Sequence, residues 1–223
     1  MRKHLLKAIK PRERTRDSWL HGDGNGGGDG DGDSDGGGCG GSVGGVGVGG
    51  GGNLMPLIDM KFKIDAIDIS NTAINLLKKK YKKINFKKMN MLDINTLNKK
   101  YDLIIDIFSS YSLDTISGEK FLSLVSKILK KKGIFFSYFP SKKSDTWIKA
   151  SKKYLIDKNT LIKIDKNKLP YYGNNYPFRF HTKKEYLKLF KKYGLKINYC
   201  ETITKTYSNE KLKTNFIIVE GQK

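Results

Sequence analysis

From Gly47 to Asp93 the chain sets three features in a fixed order. Gly47-Val48-Gly49-Gly50-Gly51-Gly52-Asn53-Leu54-Met55-Pro56-Leu57 is a glycine-rich turn that opens a short helix. Ile64-Asp65-Ala66-Ile67-Asp68-Ile69-Ser70 is an apolar strand that ends in an acid. Met89-Asn90-Met91-Leu92-Asp93 closes a second strand-like segment on another acid. Glycines let backbone N–H groups come close to a ligand. A carboxylate at the end of the next strand can accept both hydroxyl hydrogen bonds of a ribose. A further acid, one strand later, can accept a hydrogen bond from an adenine amino group. The order points to an α/β sheet with a nucleoside-sized site on its rim.

The rest of the chain alternates in the same way. A short helix is expected over Asn53–Met60, a strand over Lys63–Asp68, and a helix over Asn71–Lys83 capped by Ser70. Asn85–Met91 reads as strand-like, and Tyr101–Phe108 is the strongest strand, its near-continuous apolar run fitting burial on both faces. Ser117–Lys131 has helical spacing, with Gly133 as its expected C-terminal cap, and Ile134–Phe139 is a further buried strand stopped by Pro140. The pattern weakens over 141–180, which reads as an insertion. Thr182-Lys183-Lys184-Glu185 has the form of a capping box, and the helix after it closes at Gly194. Leu195–Glu201 and Asn215–Glu220 are two last strands with no helix between them, hence an antiparallel pair at one edge.

Before residue 47 the text differs. His21–Gly52 is almost wholly Gly, Asp, Ser and Val, too poor in apolar side chains to offset its ordering entropy. The expected organisation is a disordered, low-complexity tail over 1–46 and one domain over 47–223. The first 20 residues have the makings of a short basic helix. Asp31-Gly32-Asp33-Ser34-Asp35-Gly36 mimics the start of a calcium loop, but Ser42 stands at the twelfth position, where a glutamate is required. No metal is expected.

The net charge of +21 lies entirely beyond residue 55, because residues 1–55 hold seven basic and seven acidic side chains. In that charged remainder Arg179 is the only arginine. Nucleic-acid sites recruit arginine for bidentate contacts, so a lysine excess reads as solvated helix faces, with a polyanion site as the rival reading. The chain has no run of 18 apolar residues, and its basic N-terminus lacks the apolar region of a secretory signal. Glu13 and Asp17 count against a transit peptide. Cys39 and Cys200 make no disulfide framework. The expectation is a cytoplasmic protein without a membrane partner, monomeric or homodimeric.

This order of elements resembles the class I S-adenosylmethionine-dependent methyltransferases over about residues 47–221. The resemblance implies a Rossmann-like, seven-stranded, mostly parallel sheet in the order 3-2-1-4-5-7-6, with an antiparallel last strand and helices on both faces. It implies methyl transfer with S-adenosyl-L-methionine as the methyl donor. Gly47, Gly49 and Gly51 stand where the family has its turn beside the methionine part of that molecule. Asp68, with Ile69 after it, stands at the ribose acid. Leu92 and Asp93 stand where the adenine is flanked. Phe108, Ser109 and Ser110 follow strand 4, where donor and acceptor meet. One stretch departs: Ser42-Val43-Gly44-Gly45-Val46 occupies the place of the family's first strand, and Gly45 stands where the strand should carry an acid. Two glycines weaken a central strand, so this segment reads as an unrelated replacement of it.

Other readings stay open beside these. Asp68 is also a possible helix-capping acid, and Asp93 a possible loop residue. His181 is a weak candidate base or a packing residue. Arg179 holds either an anionic substrate or a carboxylate of the fold. Tyr171, Tyr172 and Tyr176 line the acceptor cleft or cover the insertion. Motifs for methylating nucleic-acid bases are absent after strand 4, where Ile107-Phe108-Ser109-Ser110 stands. A small-molecule acceptor is therefore favoured. The alternatives are an RNA-modifying methyltransferase, an inactive protein of this fold, and a nicotinamide-dinucleotide-binding protein, since Gly47, Gly49 and Gly52 also fit G-x-G-x-x-G.

Overall fold

The computed structural model describes residues 41–223. The short basic helix, the calcium-loop mimic and the rest of the expected tail up to residue 40 lie outside the described residues.

Seven strands form one sheet in the order β3-β2-β1-β4-β5-β10-β9. They are β1 (Ser42–Val46), β2 (Lys63–Asp68), β3 (Asn85–Lys88), β4 (Tyr101–Ile107), β5 (Leu129–Pro140), β9 (Lys196–Tyr207) and β10 (Leu212–Gln222). Neighbours from β3 across to β5 are parallel. β10 runs antiparallel to both β5 and β9, as expected of a closing pair. Helices α1 (Met55–Asp59), α2 (Asn71–Lys80), α3 (Thr115–Ile128), α4 (Asp145–Lys149) and α5 (Lys183–Lys192) complete the described regular elements with three 3-10 turns and a small second sheet.

Strand alternation divides the core between the two faces of the sheet. Ile104, Phe135, Phe139, Ile217 and Val219 face α3 and α5, meeting Phe121, Val125 and Phe190. Leu103, Ile105, Phe136, Phe216 and Ile218 share the opposite face with Leu54, Leu57, Ile74 and Leu77 from α1 and α2. Each such side chain, fully buried, contributes roughly 1.5–3 kcal/mol. Three of these five helices start on capping side chains. Ser70 accepts from the Ala73 N–H, Asp114 from the Ser117 N–H, and Thr182 with Glu185 closes the capping box foreseen in the sequence.

Ser42–Val46 corrects the expected tail boundary at residue 46. It is a strand at the centre of the sheet, hydrogen-bonded to β2 on one side and β4 on the other. Ladder hydrogen bonds use backbone groups, which glycine supplies as well as any residue. The space left by its two glycines is taken by neighbours. The Tyr101 ring lies 3.5 Å from where a Gly44 Cβ would sit, and Val48 lies 3.2 Å from that of Gly45. The strand's start is pinned by Asp102, which accepts from the Ser42 N–H at 2.8 Å and holds Lys130 at 2.8 Å.

Other boundaries shift. α2 stops at Lys80, and beyond β3 the chain turns into a 3-10 helix over Met91–Leu97 instead of extending the strand to Met91. α3 ends at Ile128, and Leu129 already pairs with Tyr101, so Gly133 is a strand residue and no cap. A Cβ there would lie 2.8 Å from the Lys130 carbonyl and 2.9 Å from that of Tyr101. The insertion over 141–180 folds around α4 and a three-stranded sheet of β6 (Leu155–Asp157), β7 (Thr160–Leu161) and β8 (Phe178–Arg179). Leu161, Ile164, Leu169, Phe178 and Phe180 give it a core of its own.

Candidate active site

The first three parallel strands end on one rim. β1 runs into a turn whose Gly47, Gly49 and Gly51 have φ of 59°, 48° and 81°, a region that side chains with a Cβ avoid. Gly47 also lies so close to β4 that a Cβ would fall 2.3 Å from Ser109 Oγ. Cβ atoms at Gly49, Gly50 and Gly52 would meet nothing within 4 Å, so that side of the turn is open backbone. The Gly51 N–H donates to the Val48 carbonyl, and Leu54 to Gly51, which carries the turn into α1.

Asp68 ends β2 against this turn. Its Oδ2 accepts from the Gly49 N–H at 2.9 Å and its Oδ1 from the Ser70 N–H at 2.8 Å. A carboxylate has about four acceptor sites, so two stay open. Ile69 beside it is 69% exposed. The end of β3 joins the same place, since the Met89 N–H donates to the Asp68 carbonyl at 2.9 Å. Asn90 Oδ1 then accepts from the Leu92 N–H, starting the 3-10 turn that carries Asp93, exposed, in its first turn. Glycine turn, Asp68, Leu92 and Asp93 thus stand at the carboxyl ends of three adjacent strands.

At the end of β4, Phe108 has a φ of 53°. Its ring turns toward the insertion, with centroids 4.2 Å from Tyr111, 5.6 Å from Tyr171 and 5.6 Å from Phe216. Ser109 Oγ lies 3.0 Å from the Gly47 carbonyl and ties β4 to the glycine turn. Ser110 faces inward. It is 1% exposed, and its N–H and hydroxyl both donate to Asp106. Asp106, fully buried on β4, also accepts from Ser137. Burial pushes its carboxyl above the usual range, against the pull of these hydrogen bonds and of nearby Arg179.

Arg179 and His181 are interior residues. Arg179 is 2% exposed. Its Nη1 donates to the Asp114 carbonyl at 2.9 Å and its Nη2 to the Ser110 carbonyl at 3.0 Å, so it clamps the loop after β4. Gly118 makes room for it, since a Cβ there would fall 1.0 Å from Nη1. His181 is 2% exposed and packs beside Phe139 and Tyr186, whose rings stack on each other. Burial first, and the Arg179 charge second, lower its pKa to about 3, so it is neutral near pH 7. Among the tyrosines, Tyr171 is half-buried against Phe108 and Phe178. The Tyr176 hydroxyl lies 3.4 Å from that of Tyr111. Tyr172, 58% exposed, instead lines a shallow concavity with Lys149, Lys166, Lys168 and Leu212.

Sequence reasoning missed Asp106, Gly118, Tyr111, Tyr138 and Tyr207. An acid inside Ile104-Ile105-Asp106-Ile107 was a readable signal of a buried polar knot. Tyr138 and Tyr207 carried none, because only the topology brings them near the insertion. Among the described residues no three His, Cys, Asp or Glu side chains group as a metal site. None of the described helices is long and apolar enough to cross a membrane.

Strand order, the single antiparallel strand and a glycine turn after β1 together define the class I methyltransferase fold. Residues 43–133 match a family model described as a methyltransferase domain, and the match begins within β1. Residues 43–133 are thus similar to a methyltransferase domain, and the sheet in which they lie has the class I methyltransferase fold. Solved structures share the fold. A methyltransferase of Methanosarcina mazei is 18% identical with a TM-score of 0.66, covering 82% of this chain and 92% of its own. The magnesium protoporphyrin IX methyltransferase of Synechocystis, solved with bound S-adenosylmethionine, is 15% identical with a TM-score of 0.56, covering 82% and 70%. The 1,6-didemethyltoxoflavin-N1-methyltransferase of Burkholderia thailandensis is 12% identical with a TM-score of 0.60, covering 82% and 71%. No curated protein matches the chain as a relative.

Proposed function

We propose that this protein transfers a methyl group from S-adenosylmethionine to a small-molecule acceptor that enters between the end of β4 and the insertion. The observation that carries this is the Asp68 carboxylate bonded to the Gly49 N–H, one acid and one open stretch of backbone held together on a single rim. Asp68 keeps acceptor sites for ribose hydroxyls, Leu92 and Asp93 flank the adenine, and the glycine turn takes the amino-acid end. When bound, the sulfonium supplies an electrophilic methyl group. The chain's own part is to align the acceptor and exclude water, which needs no dedicated acid or base. Phe108 and Ser109 hold the point where the two molecules meet. Arg179 fixes the loop that carries that point. The solved Synechocystis and Burkholderia enzymes, named for small-molecule substrates, support an acceptor of that class.

Calorimetry with S-adenosylhomocysteine tests the reading directly. Wild type should bind, and Asp68→Ala should weaken binding by about 1–3 kcal/mol, the scale of hydrogen bonds lost to a charged group. Absence of binding by wild type would leave an inactive protein of this fold. Unchanged affinity in the variant would remove Asp68 from the site.

A further inference from the structure

Beyond Phe108 the acceptor side of the rim is a wall of aromatic rings. Tyr111 packs on Phe108 and, at 4.4 Å, on Phe178; Tyr171 packs on both. Tyr138 at the end of β5 stacks on Phe216 at 4.6 Å, and Phe216 meets Phe108. Tyr207 comes near Tyr171 and Tyr138 because β9 and β10 run on past the end of β5. The wall is continuous with the donor side, since Ser109, next to Phe108, touches the glycine turn.

Two features set the chemistry of what it would face. Its polar atoms are phenol hydroxyls, and burial raises the pKa of Tyr111, Tyr138 and Tyr171 well above the usual range, so all three keep their protons. Tyr138, 7% exposed, has a buried hydroxyl without a hydrogen-bond partner. Such a group costs stability unless something completes it. Tyr176 and Tyr207, 46% and 38% exposed, keep the outer part of the wall open to solvent.

We infer that the acceptor is a flat, uncharged aromatic molecule, packed against Phe108, Tyr111, Tyr171 and Tyr176 and hydrogen-bonded at its edge by the Tyr138 hydroxyl. Aromatic rings prefer offset or edge contacts with other rings, which a saturated molecule of equal size does not offer. An apolar wall with few fixed polar points is the usual make-up of a small-molecule site. The inference rests on the proposed function, which places the acceptor at the end of β4.

The test uses the full chain and two probes of matched size, 2-naphthol and its saturated counterpart 2-decalol. Each is titrated by calorimetry into protein saturated with S-adenosylhomocysteine. The naphthol should bind at least ~10-fold tighter, in keeping with ring contacts that the decalol lacks. Tyr176→Leu and Tyr207→Leu, both at exposed positions that folding tolerates, should each weaken naphthol several-fold, whereas Tyr176→Phe should retain most of the affinity. Equal affinity for the two probes, or leucine variants that bind like wild type, overturns the inference. Absence of heat from S-adenosylhomocysteine alone is a separate result and overturns the donor reading on which it rests.

Discussion

His181 lies against both Phe139 and Tyr186, with both ring nitrogens buried and unpartnered. In the unfolded chain an imidazole takes its proton near pH 6.5, and here it does so only near about 3. Between those values the unfolded state binds more protons than the folded one, so stability rises with pH and is lost as the pH falls. The loss from this one residue approaches about 1.4 kcal/mol per pH unit. Arg179, Lys142, Glu185 and Asp157 supply the charges around it, the first two opposing a second positive charge and the two acids favouring it. Asp65, Asp102, Asp157 and Glu185, all held below the usual carboxylate range, add their own loss at lower pH. Thermal melts should therefore show Tm falling between pH 6.5 and 5, before those carboxylates titrate. His181→Phe, which fits an aromatic stack, should flatten that fall; an undiminished slope in the variant would assign it elsewhere. The position also explains why the candidate base was ambiguous in sequence. A histidine beside a capping threonine reads alike whether it faces solvent or core, and only the packing of α5 against β5 decides.

At the scale of elements, β1 shows where propensity misleads. Ser42-Val43-Gly44-Gly45-Val46 is a poor strand by its side chains, and for that reason it read as part of a tail. A central strand is held mainly by its neighbours, and both β2 and β4 supply a full ladder. Long apolar strands such as Tyr101–Ile107 and capped helices such as α5 were legible because pattern and environment agree there. The end of α3 was not, since Lys130-Lys131-Lys132 suits an exposed helix end and an exposed strand start equally. The account of β1 makes a definite prediction. Gly44 lacks the positive φ of the turn glycines, and its missing Cβ would make ordinary contact with the Tyr101 ring at 3.5 Å. Gly44→Ala should therefore stabilise the fold by about 0.4–1 kcal/mol, through lost freedom in the unfolded chain. That corresponds to a rise in Tm of about 1–4 °C for a domain of this size. A lower Tm would mean that β1 needs glycine for reasons other than space.

For the whole molecule, the topology and the donor rim were readable because each is local text repeated in order: strand, turn, helix, acid. The aromatic wall was not, because Phe108, Tyr138, Tyr171 and Tyr207 come from β4, β5, the insertion and β9, and nothing in one segment announces the others. The charge has the same character: its sum is visible in the sequence, its placement only in the fold. Exposed lysines end α2 (Lys78, Lys79 and Lys80), start β5 (Lys130, Lys131 and Lys132) and cover α5 (Lys183, Lys184, Lys188, Lys191 and Lys192). α2 and α5 pack on opposite faces of the sheet, so these charges form no single stripe along which a nucleic-acid backbone could lie. Dispersed lysines still attract polyanions, but through counterion release alone. Fluorescence anisotropy with a labelled oligo-uridine should therefore show binding at low salt that weakens steeply as salt rises, with a Kd no tighter than about 1 μM near 150 mM. Lysine pairs reversed to glutamate on α2 or on α5 should each remove part of that binding, because neither face holds the site. Submicromolar binding that survives 150 mM salt and vanishes on altering one face alone would instead define an RNA groove, and would move the acceptor from a small molecule to RNA.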